Sequence, residues 1–153
     1  MEAEGEERLV IVQELIRGTE VTCGVLDDGL VGSAQALLPT EIIPTTAALF
    51  DYQAKYQVGA AQEITPARLS PQRLIAIQQA AVIAHEALGC SGISRSDFIV
   101  EATGRVIILE TNTIPGLTET SLITRALPAL QMTYSQLLTR MIDAGIRRHQ
   151  PSA

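Results

Sequence analysis

Long apolar runs are missing from this 153-residue chain. Stretches such as residues 106–109 fall far short of the ~20 residues that cross a bilayer, so no membrane insertion is expected. The acidic start MEAEGEE has neither the charged lead nor the apolar core of a secretory signal, which makes the cytoplasm the expected location. Basic clusters are missing too. The 11 Lys and Arg are scattered and the net charge is −6, which offers no footprint for a phosphate backbone and excludes nucleic acid as an expected partner. Cysteine is scarce: Cys23 and Cys90 stand without a Cys/His ligand pattern, so reduced, partly buried thiols are expected rather than a disulfide or a zinc site. There is no internal repeat, no low-complexity tract and no G-x-x-x-x-G-K-(S/T) phosphate loop. What remains, 46% hydrophobic and 18% charged residues in 153, fits one soluble globular domain with a sizeable core.

The pattern along the chain runs from strand-like to helical and back. RLVIVQEL (8–15) and GTEVTCGVLDD (18–28) read as strands, Asp27-Asp28-Gly29 as a turn, and LVGSAQALLP (30–39) as a third strand, together an antiparallel meander. Between 44 and 67, Pro, Thr, Asp and Gly surround FDYQAKYQVGA, the signature of a long loop of the kind that often carries function. Ser70-Pro71 supplies an N-cap and a first helical proline, and Leu74, Ile77, Ala81, Ala84 and Leu88 recur at helical spacing up to Gly89. SRSDFIV (94–100) and RVIILET (105–111) flank Thr103-Gly104 as a hairpin, and 121–126 forms a short helix stopped near Pro128. A last helix opens on the capping box Thr133-x-x-Gln136 and is expected to bury Leu137, Leu138, Met141 and Ile142. His85 and His149, without ligand or nucleophile partners in the pattern, read as surface residues. The expected class is α+β, an antiparallel sheet packed with helices.

The hairpin holds the chemistry. A turn of two or four residues centred on Thr103-Gly104 sets Asp97 opposite Glu110, and period-two alternation sets Arg95 and Asn112 on the same face, one pair further along. Opposed carboxylates repel unless a positive charge sits between them. The set is either a solvated hairpin end or the oxygen-only seat of a hard divalent cation, Mg²⁺ or Mn²⁺, which takes substrate phosphates as further ligands and so implies a nucleotide. Glu110 follows four apolar residues and is expected to point into a cleft.

SRSDFIV and ILETNTIPGLTETSL, with DYQAKY upstream, resemble the D-alanine–D-alanine ligase family of the ATP-grasp fold, whose elements run G-x-x-R-x-D, E-(A/V)-N-(S/T)-x-P-G-M-(S/T)-x-x-S and Y-x-x-K-Y. The resemblance covers nearly all of this chain and the C-terminal part of a family member. Residues 1–153 are therefore expected to be the C-terminal portion of an ATP-grasp ligase domain, with an acidic lead-in at 1–7, an active-site loop at 44–67 and no counterpart of the N-terminal substrate domain.

By position, the resemblance implies that Asp97, Glu110 and Asn112 hold two Mg²⁺ (or Mn²⁺) ions on the phosphates of ATP. Arg95 would stabilise charge on the transferred phosphoryl group, its plainer role being an ion pair with Asp97 or Glu110. Gly116 would turn its N–H toward an oxyanion, where Pro-Gly alone would be a turn. Ser121, otherwise an N-cap, and Leu122 would hold the carboxylate of the second D-alanine. Lys55 would reach ATP phosphates and Tyr56 would position substrate. Glu20 matches a nucleotide-binding glutamate. Where the family has a second acid seven residues earlier, this sequence has Gln13, followed by Glu14; a glutamine carbonyl is a weaker, uncharged acceptor for ribose hydroxyls. Leu117 replaces the usual methionine at similar volume. The implied activity is ATP-dependent joining of two D-alanines through an acyl phosphate, for peptidoglycan precursors, by an enzyme that is a homodimer when complete. The alternatives are a related ligase of the D-alanine–D-lactate type and a nucleotide-binding fragment without turnover.

Overall fold

A strand buried on both faces needs a layer on each side, and the sequence TEVTCGVL is such a strand. In the computed structural model, which describes residues 10–30, 32–44 and 61–149, it forms β1 (Thr19–Leu26), with Val21 through Leu26 all buried. β1 lies at the middle of an antiparallel sheet ordered β4-β3-β1-β5-β6, where β3 is Thr40–Pro44, β4 Ala61–Ile64, β5 Ile93–Val100 and β6 Val106–Asn112. The two-residue β2 (Gln35–Ala36) pairs with the far end of β1.

Alternation gives the sheet two unlike faces. On one, Val21, Cys23 and Val25 with Phe98 and Val100 pack on Ile77 and Ala81 of α1 (Pro71–Ala87). On the other, Leu26 and Ile93, with Leu37 beside them, pack on Ile123, Leu127 and Leu137, contributed by α2 (Leu122–Ala126), a 3-10 turn (Leu127–Leu130) and α3 (Tyr134–His149). One end of that second face is wholly apolar, and beyond it polar side chains are interspersed with Ile42 and Ile99. Its other end carries Glu20, Thr22, Arg95 and Asp97, in register across β1 and β5.

The α+β class stands, and the first helix starts as its sequence requires, with Ser70 capping the Arg73 N–H and Pro71 in the first turn. The capping box of α3 closes both ways, Thr133 N–H to Gln136 Oε1 at 2.7 Å and Gln136 N–H to Thr133 Oγ1 at 3.2 Å. Both thiols are free, and burial pushes that of Cys23 up to about 12.

Other expectations are corrected. Residues 10–17 form no strand, and Val10, Ile11, Val12 and Leu15 are exposed, because no neighbouring strand among the described residues offers them a ladder or an apolar face. The single strand expected over 30–39 is cut down to β2, since Pro39 has no N–H to give a ladder and the chain resumes pairing only at Thr40. The sheet is therefore not a meander: β3 and β5 flank β1. Within the expected loop 44–67, Ala61–Ile64 is strand β4, paired with β3, while 45–60 lie outside the described residues. His85 is not a surface residue. It continues the buried stripe Ile77, Ala81, His85 at four-residue intervals, and its Nδ1 lies 2.7 Å from Ser94 Oγ. On α3 the buried positions are Leu137 and Ala144, with Leu138 and Met141 half-buried; Ile142 falls off that stripe and is exposed.

β3 and the segment before α1 are tied by Glu41, which is buried and accepts the Arg68 fork at 2.9 and 2.8 Å and the Arg68 N–H at 3.1 Å. These hydrogen bonds outweigh burial and hold the Glu41 carboxyl below its usual range. A lowered folded pKa adds stability that is complete above the unfolded value, about 4.3, and disappears as pH falls through the folded value. Replacing Glu41 with Gln is therefore expected to lower Tm at neutral pH and to flatten the acid limb of a Tm-against-pH series. Parallel acid limbs in parent and variant would show that this carboxylate is not in control.

Candidate active site

The face of β6 is decided by two irregularities that act together. The turn is a three-residue loop: Gly104 N–H bonds Glu101 O, Glu101 N–H bonds Arg105 O, and Gly104 alone takes a positive φ of 93°. Thr103 is spared the left-handed region that β-branched residues avoid. That loop pairs Val100 with Val106, Ile99 with Ile107 and Phe98 with Ile108. Continued unchanged, the register would put Glu110 opposite Ser96, on the α1 face. A bulge between Asp97 and Phe98 leaves Leu109 unpaired, so that Asp97 meets Glu110 and Arg95 meets Asn112, the pairing expected from the sequence.

Around Asp97 the donors converge. Arg95 Nε and Nη2 reach its two oxygens at 3.0 Å each, and the Thr22 hydroxyl, directly across on β1, donates to Oδ1 at 2.5 Å. The ion pair foreseen as the plainer role of Arg95 is thus present, and it supplies part of the positive charge that the opposed carboxylates require. Arg95 and Asp97 side chains are only 17% and 16% exposed, so the pair is largely shielded from solvent. Glu110 is exposed rather than set in a cleft, since β6 is the edge strand and no described element covers its end. Asn112 Oδ1 accepts the Ile114 N–H at 3.0 Å, starting the turn into Pro115-Gly116.

The loop after β6 brings the next residues together. A Cβ on Gly116 would lie 2.9 Å from Ser121 Oγ, so glycine lets the Ser121 hydroxyl approach in the rotamer it adopts. Ser121 is the N-cap of α2 by backbone, but its hydroxyl makes no capping bond and lies instead 2.9 Å from Thr118 Oγ1. Leu122 opens α2. Glu20 occupies the carboxylate face, opposite Ile99 on one side and Ile42 on the other. Gln13 and Glu14 are not gathered there. Both lie in exposed chain before β1, and Glu14 adds, after Glu101, to the negative field around Arg105 at the turn end of the hairpin. Lys55 and Tyr56 lie outside the described residues. Sequence reasoning missed Thr22 and Thr118. Thr22 had one signal, a hydroxyl among the otherwise apolar residues 21–26; Thr118 had none beyond the hydroxyl-rich loop.

Asp97, Glu110 and Asn112 form an oxygen-only donor set on one face, which fits a hard divalent cation. Among the described residues no three of His, Cys, Asp and Glu group as a complete cage, so such an ion would need ligands from substrate or water. The paired carboxylates sit on an antiparallel sheet packed with helices, followed in sequence by a Pro-Gly loop and a serine-led helix, and the fold is that of the C-terminal part of an ATP-grasp protein. The comparisons give the particular family. The model described as "D-ala D-ala ligase C-terminus" matches residues 1–143, and the chain belongs to that family. It is 44% identical over 141 residues to a D-alanine–D-alanine ligase of Leptospira interrogans, covering 91% of this chain and 40% of that protein. Among solved structures it resembles the D-alanine–D-alanine ligase of Coxiella burnetii (TM-score 0.74, 35% identity, 90% of this chain and 34% of that one). It also resembles the VanG D-Ala:D-Ser ligase of Enterococcus faecalis (TM-score 0.72, 34% identity, 86% and 37%). The chain spans about two fifths of the length of the curated relatives it matches. No described helix is long and apolar enough to cross a membrane.

Added Mn²⁺ is expected to broaden the NMR signal of the Asn112 side-chain amide before those of α3. Asp97→Asn or Glu110→Gln should each weaken the effect by at least the roughly 10-fold loss that even an outer metal partner causes. Broadening that ignores both substitutions would place the ion elsewhere.

Proposed function

We propose that this chain supplies the metal and acceptor side of an ATP-dependent D-alanine–D-alanine ligase. The observation that carries the reading is the face on which Asp97 meets Glu110 and Arg95 meets Asn112, with the Gly116–Ser121 contact following directly in sequence. In the reaction, a carboxylate oxygen of one D-alanine attacks the γ-phosphorus of ATP, and ADP leaves. The amine of a second D-alanine then attacks the acyl phosphate carbonyl, the tetrahedral intermediate loses inorganic phosphate, and a proton is lost from the nitrogen. The product is D-alanyl-D-alanine, a peptidoglycan precursor.

Asp97, Glu110 and Asn112 would hold two Mg²⁺ or Mn²⁺ ions, whose contribution is to offset the charge of the ATP phosphates. Arg95, already fixed by Asp97, presents its remaining donors toward a transferred phosphoryl group without reorganising, the condition under which a fixed cation is most effective. The Gly116 N–H is offered to the tetrahedral oxyanion. Ser121 and Leu122 hold the acceptor carboxylate, the Ser121 hydroxyl proton being available when Thr118 is the donor in their pair. Glu20 binds the nucleotide without Gln13 and Glu14, which lie in exposed chain away from it, while Lys55 and Tyr56 act on phosphate and substrate. The complete enzyme would be a cytoplasmic homodimer. The likeness to a D-Ala:D-Ser ligase favours a second reading, in which the acceptor is another D-amino or D-hydroxy acid; product analysis with each acceptor separates the two.

Ser121→Ala should raise the KM for the acceptor while leaving that for ATP unchanged, since a hydrogen bond to a charged group is worth roughly 1.5–3 kcal/mol. An equal rise in both would remove Ser121 from the acceptor site.

The 153-residue chain assayed alone with ATP, Mg²⁺ and D-alanine is expected to release ADP and dipeptide far more slowly than when the N-terminal portion of a relative is added as a separate chain. Orientation of reactants is worth roughly 7–11 kcal/mol of barrier, and the residues that hold the first D-alanine in the family have no counterpart in this sequence. Full turnover by the chain alone would overturn the fragment reading. Nucleotide binding with no turnover in either arm would favour the non-catalytic alternative.

A further inference from the structure

α2 is five residues long, too short to be held by its own hydrogen bonds. Its N-cap side chain does not cap it, so its orientation comes from what it touches. Ile123, Ala126 and the following Leu127 are buried, and they fix the depth at which the helix sits. Rotation about its axis needs a second restraint. Among the described residues, one side-chain hydrogen bond leaves α2 for the rest of the fold: Arg125 Nη1 to Glu63 Oε1 at 3.1 Å.

Glu63 is placed to matter. It pairs with Ile42 on β3, which pairs with Glu20 on β1, which pairs with Ile99 on β5, two residues from Asp97. Directly paired residues share a face, so Glu63 lies on the face of Asp97, Arg95, Glu110 and Asn112. Its side chain is 16% exposed, and its Oε2 is buried with no hydrogen-bond partner among the described residues. Burial pushes its carboxyl up, against the pull of Arg125. A carboxylate so enclosed is poorly replaced by water, which makes the tie to Arg125 selective. Ser121 and Arg125 are four residues apart, on one helical side. A tie at Arg125 therefore turns the Ser121 side toward the same sheet.

We propose that the Glu63–Arg125 ion pair is a positioning device that sets the rotation of α2 and so aims Ser121 and Leu122 at the carboxylate face. This rests on the ligase reading for its consequence, a well-placed acceptor carboxylate, but not for the tie itself. Glu63 and Arg125 touch no substrate; they act through α2.

Glu63→Gln, which keeps shape and removes charge, Arg125→Met, and the exchanged pair Glu63→Arg with Arg125→Glu are compared with the parent in two measurements. Hydrogen exchange on the 153-residue chain should speed at the amides of residues 121–125 in each single variant and return toward the parent in the exchanged pair. In the complemented ligation assay, each single variant should raise the acceptor KM roughly 10-fold, the scale of one charged hydrogen bond, with the KM for ATP unchanged and the exchanged pair recovering. A purely structural role would move both KM values together, and that outcome overturns the proposal. So does exchange at 121–125 that is equal in all four proteins, whether or not the parent ligates. If the parent does not ligate while the exchange pattern appears as described, the tie stands and the ligase reading falls.

Discussion

Everything on the carboxylate face depends on one unpaired residue. In a hairpin every side chain's face follows from register, and a shift of one residue moves a whole strand's set to the other side. Gly104 permits a three-residue turn that starts β6 in a register unsuited to the site, and the bulge at Leu109 corrects it before Glu110. Before the bulge Val106 packs against the α1 cluster, and after it Glu110 and Asn112 are turned to the face of Asp97 and Arg95. Thr111 shows the same parity from behind, its hydroxyl 2.8 Å from that of Ser96 on the α1 side. The site is thus a consequence of where pairing is interrupted, and the interruption lies next to the residues it re-aims.

The same face has to be a core at one end and a polar surface at the other, and Gly24 marks the change. A Cβ there would lie 2.9 Å from Leu37 Cδ1 and 3.5 Å from Ile123 Cγ1, so glycine lets the α2 side pack down onto β1. Two residues away along β1, Thr22 already donates to Asp97. At the apolar end Ile123 and Leu127 anchor α2 and the turn after it against Leu26, Leu37 and Ile93. α1, on the other side, keeps β1 and β5 from flexing through Ile77 and Ala81 against Phe98.

The parts of this arrangement that were legible in the sequence are those written in short spans. D…ExN with Arg95 announced a shared face because alternation is local, and the Ser70-Pro71 and Thr133-x-x-Gln136 caps announced their helices. The pairing of Asp97 with Glu110 was reached from an idealised turn; the true turn and the bulge depart from it in opposite senses and cancel. Long-range partners were not legible. Nothing near Thr22 says that it meets Asp97, and nothing near Glu63 says that it meets Arg125, because those contacts exist only once β1, β3, β4 and β5 are assembled. His85 was misread because polar type was weighed above spacing, although Ile77, Ala81 and His85 form an unbroken four-residue series. Residues 10–15 were misread for the converse reason: they have the composition of a strand, but a strand also needs a neighbour.

The exposure of Glu110 beside the enclosed Arg95–Asp97 pair then has a physical meaning. At 4 Å two unit charges interact by about 1 kcal/mol in water and by about 4 kcal/mol at the effective dielectric of a partly covered protein surface. The described residues build geometry, with a guanidinium held by two bonds, a hydroxyl behind it and a glycine that lets Ser121 approach, but they leave the outer end of β6 open, with Leu109 and Ile114 exposed next to it in the chain. A face in that condition can orient charged groups and cannot exclude water from them. Covering this face would strengthen every charged contact at Asp97 and Glu110 together with no change in their positions. The division is between placement, which lies within these strands, and desolvation, which the described residues do not supply at Glu110.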